Sequence, residues 1–164
     1  MKRIISIIIA LMLLAGVAMG EAGGGARFTF ATTDLEGNIM TSAEAFAGNK
    51  ITMVNLWATW CPPCVGELGA LAQVHERLRE MGCGVVGILL DSTEADAVEK
   101  ARDLIEENGI GYPVLALSED MYDVLSAVDA IPATFFVDGD GNILGTPIIG
   151  AFPERYVPAV QALL

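Results

Sequence analysis

The sequence predicts an α/β domain with a mixed central sheet and helices on both of its faces. Three observations carry this. Residues 51–57 are a strong strand candidate, and 85–90 is a continuous apolar run typical of a strand buried on both faces. Between them, Leu68, Leu71, Ala72, Val74, Leu78 and Met81 recur at three- and four-residue steps, the period of one helix face. Near the end, two further strand-like runs flank Asp138-Gly139-Asp140-Gly141, a hairpin loop that makes them antiparallel. Strand, helix and strand followed by a hairpin gives parallel and antiparallel pairing in one sheet.

The chain has 164 residues with 9 Lys plus Arg against 21 Asp plus Glu. This length can bury one substantial core without disulfide staples. A hydrophobic content of 53% excludes a disordered chain. A net charge of -12, without a basic cluster, argues against binding nucleic acid. Three Cys are too few for a disulfide scaffold.

The apolar excess is concentrated at the start. Lys2 and Arg3 precede an almost wholly apolar stretch, residues 4–17, and Ala18-Met19-Gly20 places small residues before Glu21. These are the parts of a secretory signal peptide, and the run is shorter than the roughly 20 residues a spanning helix needs. A retained N-terminal anchor is the alternative. No Cys follows the run to carry a lipid. Cleavage of 20 of the 164 residues would leave 144, with 7 basic and 21 acidic residues and a charge of -14. The expected division is a signal segment at 1–20, a Gly-rich flexible lead-in at 21–26 and one domain at 27–164. An exported chain meets conditions in which disulfides persist.

The elements follow in order. Residues 28–33 alternate apolar and polar, as a half-buried strand does. Glu36-Gly37-Asn38 is a turn and residues 39–41 its return strand, so an N-terminal β-hairpin extends the domain. Residues 42–46 read as one helical turn, ended by Gly48-Asn49. After the strand at 51–57, a helix runs to about Met81, stopped by Gly82 and Gly84. Beyond the strand at 85–90, Asp91 with Glu94 resembles a capping box for a helix through Ala101, Leu104 and Ile105, ending at Asn108-Gly109. The acidic run 91–107 reads as a solvated helix face. Residues 114–117 form a short strand and 119–128 a helix. Strands at 134–137 and 143–149 make the hairpin. A closing helix runs from Pro153 to Leu164, unless Pro158 marks its true start, because an interior Pro loses a helical hydrogen bond.

The chemistry lies in Trp60-Cys61-Pro62-Pro63-Cys64, between a buried strand and a helix. Structural zinc sites share this spacing, but the other candidate ligands, His75 and Cys83, are isolated. A purely structural disulfide would close a very small loop and stabilise little. A redox pair fits better. At a helix N-terminus, Cys61 meets free backbone N–H groups and the positive end of the dipole, which favour the nucleophilic thiolate. Cys64, one turn on, can attack a mixed disulfide formed on Cys61. Pro62 and Pro63 stiffen the loop.

Trp60-Cys61-Pro62-Pro63-Cys64 after a Val-Asn-Leu-Trp-Ala strand resembles the thioredoxin superfamily, and within it the TlpA/ResA-like extracytoplasmic thiol–disulfide oxidoreductases. The resemblance covers about residues 27–164. Ile131-Pro132-Ala133-Thr134-Phe135 is similar to the cis-proline segment of that family, and Glu67 and Asn55 stand where the subfamily carries an acid and an Asn. Gly69 and Ala133 depart from it, at positions where Pro and Thr or Ser are common.

The resemblance implies a thioredoxin-like fold with Cys61, Cys64, Glu67 and Pro132 catalytic, and with Trp60, Pro62, Pro63 and Ile131 along the partner groove. Pro132 would be cis, exposing the Ile131 backbone to an extended client segment. Glu67 would exchange a proton with Cys64; otherwise it is a first-turn acid complementing the helix dipole. Trp57 reads as core and Cys83 as a buried inert thiol.

The resemblance further implies an outward-facing protein, periplasmic or membrane-tethered, that reduces protein disulfides, with apocytochrome c among the possible clients. A membrane thiol protein would supply electrons, and the chain would act as a monomer. Neither metal nor organic cofactor is implied beyond the Cys61–Cys64 disulfide. Two other functions compete with this reading. A thiol peroxidase of the peroxiredoxin type needs P-x-x-x-[TS]-x-x-C, but Val54 and Ala58 occupy its Pro and Thr/Ser positions before Cys61. A binding module without redox work does not account for the intact C-x-x-C and Ile131-Pro132.

Overall fold

A computed structural model describes residues 26–164. The expected signal segment at 1–20 and nearly all of the expected lead-in at 21–26 lie outside the described residues. The strands are β1 (Ala31–Thr33), β2 (Ile39–Thr41), β3 (Ile51–Trp57), β4 (Gly84–Leu89), β5 (Val114–Ala116), β6 (Ala133–Asp138) and β7 (Ile143–Ile149). The helices are α1 (Ser42–Phe46), α2 (Pro62–Glu80), α3 (Ala95–Glu107), α4 (Tyr122–Leu125) and α5 (Pro153–Leu163).

β1 and β2 pair as the expected hairpin, and the other five strands form one sheet in the order β5-β4-β3-β6-β7. β3 runs parallel to β4, and β4 to β5, whereas β3–β6 and β6–β7 are antiparallel. β3 is central and all seven of its residues are buried. That explains its near-continuous apolar sequence.

The two-residue period of the strands sorts their side chains between two cores. Met53 and Trp57 of β3 and Phe136 of β6 join Leu68, Leu71 and Leu78 of α2 and Tyr156, Val157 and Val160 of α5. Val54 and Leu56 of β3, with Phe135 and Val137 of β6, turn to the other face, against Phe28, Phe30, Phe46 and Met121. Phe28 meets Phe135 edge to face at 5.0 Å, and Phe30 meets Phe46 likewise at 5.8 Å. By the same alternation Asn55 and Thr134 face α2 and α5, which positions the site described below.

Several expectations change. The first strand begins at Ala31 rather than residue 28; the Phe28 amide instead donates to the Gly141 carbonyl, 2.8 Å. Gly141 has φ 83°, and a Cβ there would lie 2.7 Å from that Phe28 carbonyl, so the close approach requires glycine. The Asp91–Glu94 capping box does not form: Glu94 is the N-cap of α3 without a side-chain bond. Asp91 is buried and leaves the solvated acidic face, because its carboxylate binds Thr59. The helix expected at 119–128 shortens to a 3-10 turn at Glu119–Met121 followed by α4. Pro158 lies inside α5 rather than at its start. Its side chain faces solvent, while Tyr156, Val157 and Val160 hold the helix to the core.

Candidate active site

Cys61 is the N-cap of α2, and Pro62 and Pro63 open the helix where no intrahelical N–H is needed. Cys61 and Cys64 are joined as a disulfide with Cα atoms 5.3 Å apart. The backbone N–H of Cys64 points at Cys61 Sγ, at 3.4 Å. No acidic residue occupies the first turn of α2, so nothing there offsets the positive end of its dipole. In the reduced protein these features favour a Cys61 thiolate. Cys64 is fully buried, whereas Pro62, Pro63 and Trp60 are exposed around the pair.

The Ile131–Pro132 bond is cis, as expected. The Ile131 carbonyl oxygen lies 3.8 Å from Cys61 Sγ, and the Pro132 carbonyl accepts from the Gly150 amide at 2.8 Å. Trp60, Leu90, Val128, Asp129, Ala130 and Ile131 line an open groove of about 400 Å³ beside this segment. Cys61, Cys64, Pro132, Ile131 and Trp60 therefore come together at one end of the sheet.

Trp60 projects because the residue before it is held on both sides. The Asp91 carboxylate accepts from the Thr59 amide at 3.1 Å and from its hydroxyl at 2.7 Å, and Lys100 Nζ donates to the Thr59 carbonyl at 2.8 Å. Sequence reasoning missed Thr59 and Lys100. The signal available was the pairing of parallel strands, which brings the residue after β4 beside the loop after β3.

Glu67 lies on α2 one turn beyond Cys64, on the same helix face. It is not a first-turn acid complementing the dipole: it is 3% exposed and turned into the protein. Asn55 Nδ2 donates to Oε1 at 3.1 Å and also to the Thr134 hydroxyl at 3.0 Å. The Tyr156 hydroxyl donates to Oε2 at 2.8 Å. Burial pushes the Glu67 carboxyl above the usual carboxylate range, opposed by the bonds from Tyr156 and Asn55. Burial likewise pushes the Tyr156 and Tyr112 phenols up. Tyr156 and Thr134 were not singled out from the sequence, since no local pattern links positions 89 residues apart.

A pH-dependent stability follows, with a fixed sign. A carboxyl raised in the folded state favours folding while it stays protonated, below its unfolded value, and that contribution is lost as pH rises through the folded value. Glu67→Gln cannot ionise. Urea midpoints measured from about pH 4 to 8 should fall less steeply with rising pH in Glu67→Gln than in the unaltered protein. Parallel curves would show that the buried carboxyl does not carry this pH dependence.

Cys83 and His75 lie elsewhere. Cys83 is buried just before β4, whose first residue pairs with Thr52, at the opposite end of β3 from the disulfide. His75 packs against Tyr112, ring centroids 5.6 Å apart.

Comparison with known proteins agrees with this geometry. A model described as the AhpC/TSA family matches residues 25–145. The chain is 27% identical over 115 residues to the thiol-disulfide oxidoreductase ResA of Bacillus thuringiensis (strain Al Hakam), covering 70% of this chain and 63% of that one. It therefore spans just under two thirds of that relative's length. It is 29% identical over 135 residues to a thiol:disulfide interchange protein DsbE homolog of Paracoccus denitrificans, covering 79% of this chain and 70% of the relative. Among solved structures, a thiol:disulfide interchange protein of the thioredoxin family from Chlorobium tepidum superimposes with a TM-score of 0.68 at 26% identity, covering 85% of this chain and 94% of its own. The fold is thioredoxin-like, with the N-terminal hairpin added.

Proposed function

The chain belongs to the AhpC/TSA family, and from that premise we propose that it is an extracytoplasmic thiol–disulfide oxidoreductase that reduces disulfides in other proteins. The observation that carries this reading is the Cys61–Cys64 pair at the N-terminus of α2, beside the Ile131 carbonyl. The names of the ResA and DsbE relatives support it.

In the reduced protein the Cys61 thiolate attacks one sulfur of a client disulfide. A Cys61–client bond forms and the other client sulfur leaves as thiolate. Cys64 then gives its proton to the Glu67 carboxylate and attacks Cys61 Sγ. The second client sulfur leaves as thiolate and takes up a proton, and the Cys61–Cys64 disulfide is restored. Two electrons pass to the client. A thiol-bearing membrane protein returns them by the reverse exchange. The exposed Trp60, Pro62 and Pro63 and the groove at Ile131 receive an extended client segment, with the disulfide of an apocytochrome c haem-attachment motif as the leading candidate.

The apolar segment at residues 4–17 supports export. A thiol peroxidase is disfavoured by Val54 and Ala58 at the motif positions before Cys61. Direction is tested by equilibrating the pair against glutathione. We expect a potential closer to the roughly -270 mV of thioredoxin than to the roughly -120 mV of a strong periplasmic oxidant. A value at the oxidising end would reverse the assignment to disulfide formation.

A further inference from the structure

Tyr156 reaches the buried carboxyl of Glu67 from α5, and its hydroxyl has a second neighbour. The Gly150 carbonyl lies 3.4 Å away, against 2.8 Å for Glu67 Oε2. Gly150 in turn donates its amide to the Pro132 carbonyl. One phenolic proton thus stands between two acceptors, one beneath the resolving cysteine and one tied to the segment beside the client groove.

The chemistry of these groups differs between the two protonation states of Glu67. An ionised carboxylate only accepts, so Tyr156 must donate to it. A protonated carboxyl carries its own donor, which can turn to the phenolic oxygen while the phenolic proton turns to Gly150. Both states leave the buried oxygens paired, which removes the desolvation penalty of an orphaned polar atom. The remaining titratable group near this cluster is Tyr112, on the segment before β5, whose phenol burial and the Glu67 charge both push up. Asn55 on β3 and Thr134 on β6 are neutral. Among the described residues, only Asn55 and Tyr156 donate side-chain hydrogen bonds to Glu67, and neither carries charge.

We propose that Tyr156 is a positioning residue for the resolving step: its hydroxyl holds Glu67 as a carboxylate ready to take the proton of Cys64, and turns to the Gly150 carbonyl once that proton has arrived. This rests on the disulfide-exchange reading above. The proton leaves Cys64 Sγ for Glu67, the Cys64 thiolate attacks Cys61 Sγ, and the client thiolate departs. Tyr156 itself is neither oxidised nor reduced.

The test uses the whole reduced protein mixed with dithiobis(nitrobenzoate), an aromatic disulfide. The first thionitrobenzoate released reports attack by Cys61, and the second reports attack by Cys64 on the mixed disulfide. The pH midpoint of the second release, taken relative to the first, is the readout. In Tyr156→Phe the carboxylate loses a donor, so the midpoint should rise by about one pH unit, with the second release about tenfold slower on the acid side. In Glu67→Gln that limb should vanish, and adding Tyr156→Phe should change nothing further. Fluorotyrosine placed at 156 keeps the shape and strengthens the donor, so it should lower the midpoint; this form carries the test if Tyr156→Phe fails to fold. An unmoved midpoint in both Tyr156 forms would overturn the proposal, as would a shift that persists without Glu67. Absence of a second release from the unaltered protein would overturn the exchange reading and the proposal with it. Normal release with no reduction of protein disulfides would overturn only the client assignment.

Discussion

Replacing Cys61 with Ser should reduce protein disulfide exchange by about a thousandfold or more, because a hydroxyl at this position cannot supply the nucleophile. The fold should survive. Cys61 caps α2 through its sulfur, and a Ser oxygen is itself a favoured N-cap acceptor. Insulin reduction measured beside a denaturation curve separates the two effects. Residual exchange within tenfold of the unaltered protein would mean that Cys64 or Cys83 attacks first. Position argues against both: Cys64 is 0% exposed inside the first turn of α2, and Cys83 sits at the opposite end of β3, whereas Cys61 caps α2 beside the Ile131 carbonyl.

Replacing Trp57 with Ala should cost about 3–5 kcal/mol, a large part of the roughly 5–15 kcal/mol that holds a domain of this kind together. Trp57 is 1% exposed and lies on the α2 and α5 face of the central strand. Gly87 on the neighbouring strand leaves room for its ring: a Cβ there would stand 3.4 Å from the indole nitrogen. Trp60, three residues on, is 66% exposed. Trp60→Ala should therefore move stability by only about half a kcal/mol while weakening client reduction. Urea unfolding of the two variants measures the contrast. Equal losses of stability would contradict the assignment of one indole to the core and the other to the groove.

The two tryptophans also show what a sequence can reveal. Their separation follows from strand periodicity and from the loop that begins at Ala58, both local properties. The same holds for β3, α2 and the β6–β7 hairpin, whose apolar periods and turn residues are written in short windows. The Cys61–Cys64 pair is legible because its spacing carries its own chemistry, and the Pro132 segment through its resemblance to the thioredoxin superfamily. Asp91 was misread for the opposite reason. An acid three residues before Glu94 has the local pattern of a helix cap, yet its actual partner, Thr59, is 32 residues away. Tyr156 gave no signal, because its contact with Glu67 exists only after α5 packs on α2. The α4 region was overextended: residues 126–128 have ordinary helical composition, but the chain must turn there to reach β6.

The central claim is that Cys61 attacks first and Cys64 resolves. Cys64→Ala removes the resolving thiol and should leave clients and the electron donor covalently held. The direct measurement is to recover these adducts under non-reducing conditions and map the linked cysteine by mass spectrometry. The account predicts mixed disulfides on Cys61, absent from Cys61→Ser/Cys64→Ala. Adducts mapped to Cys83, or no specific adducts at all, would contradict it.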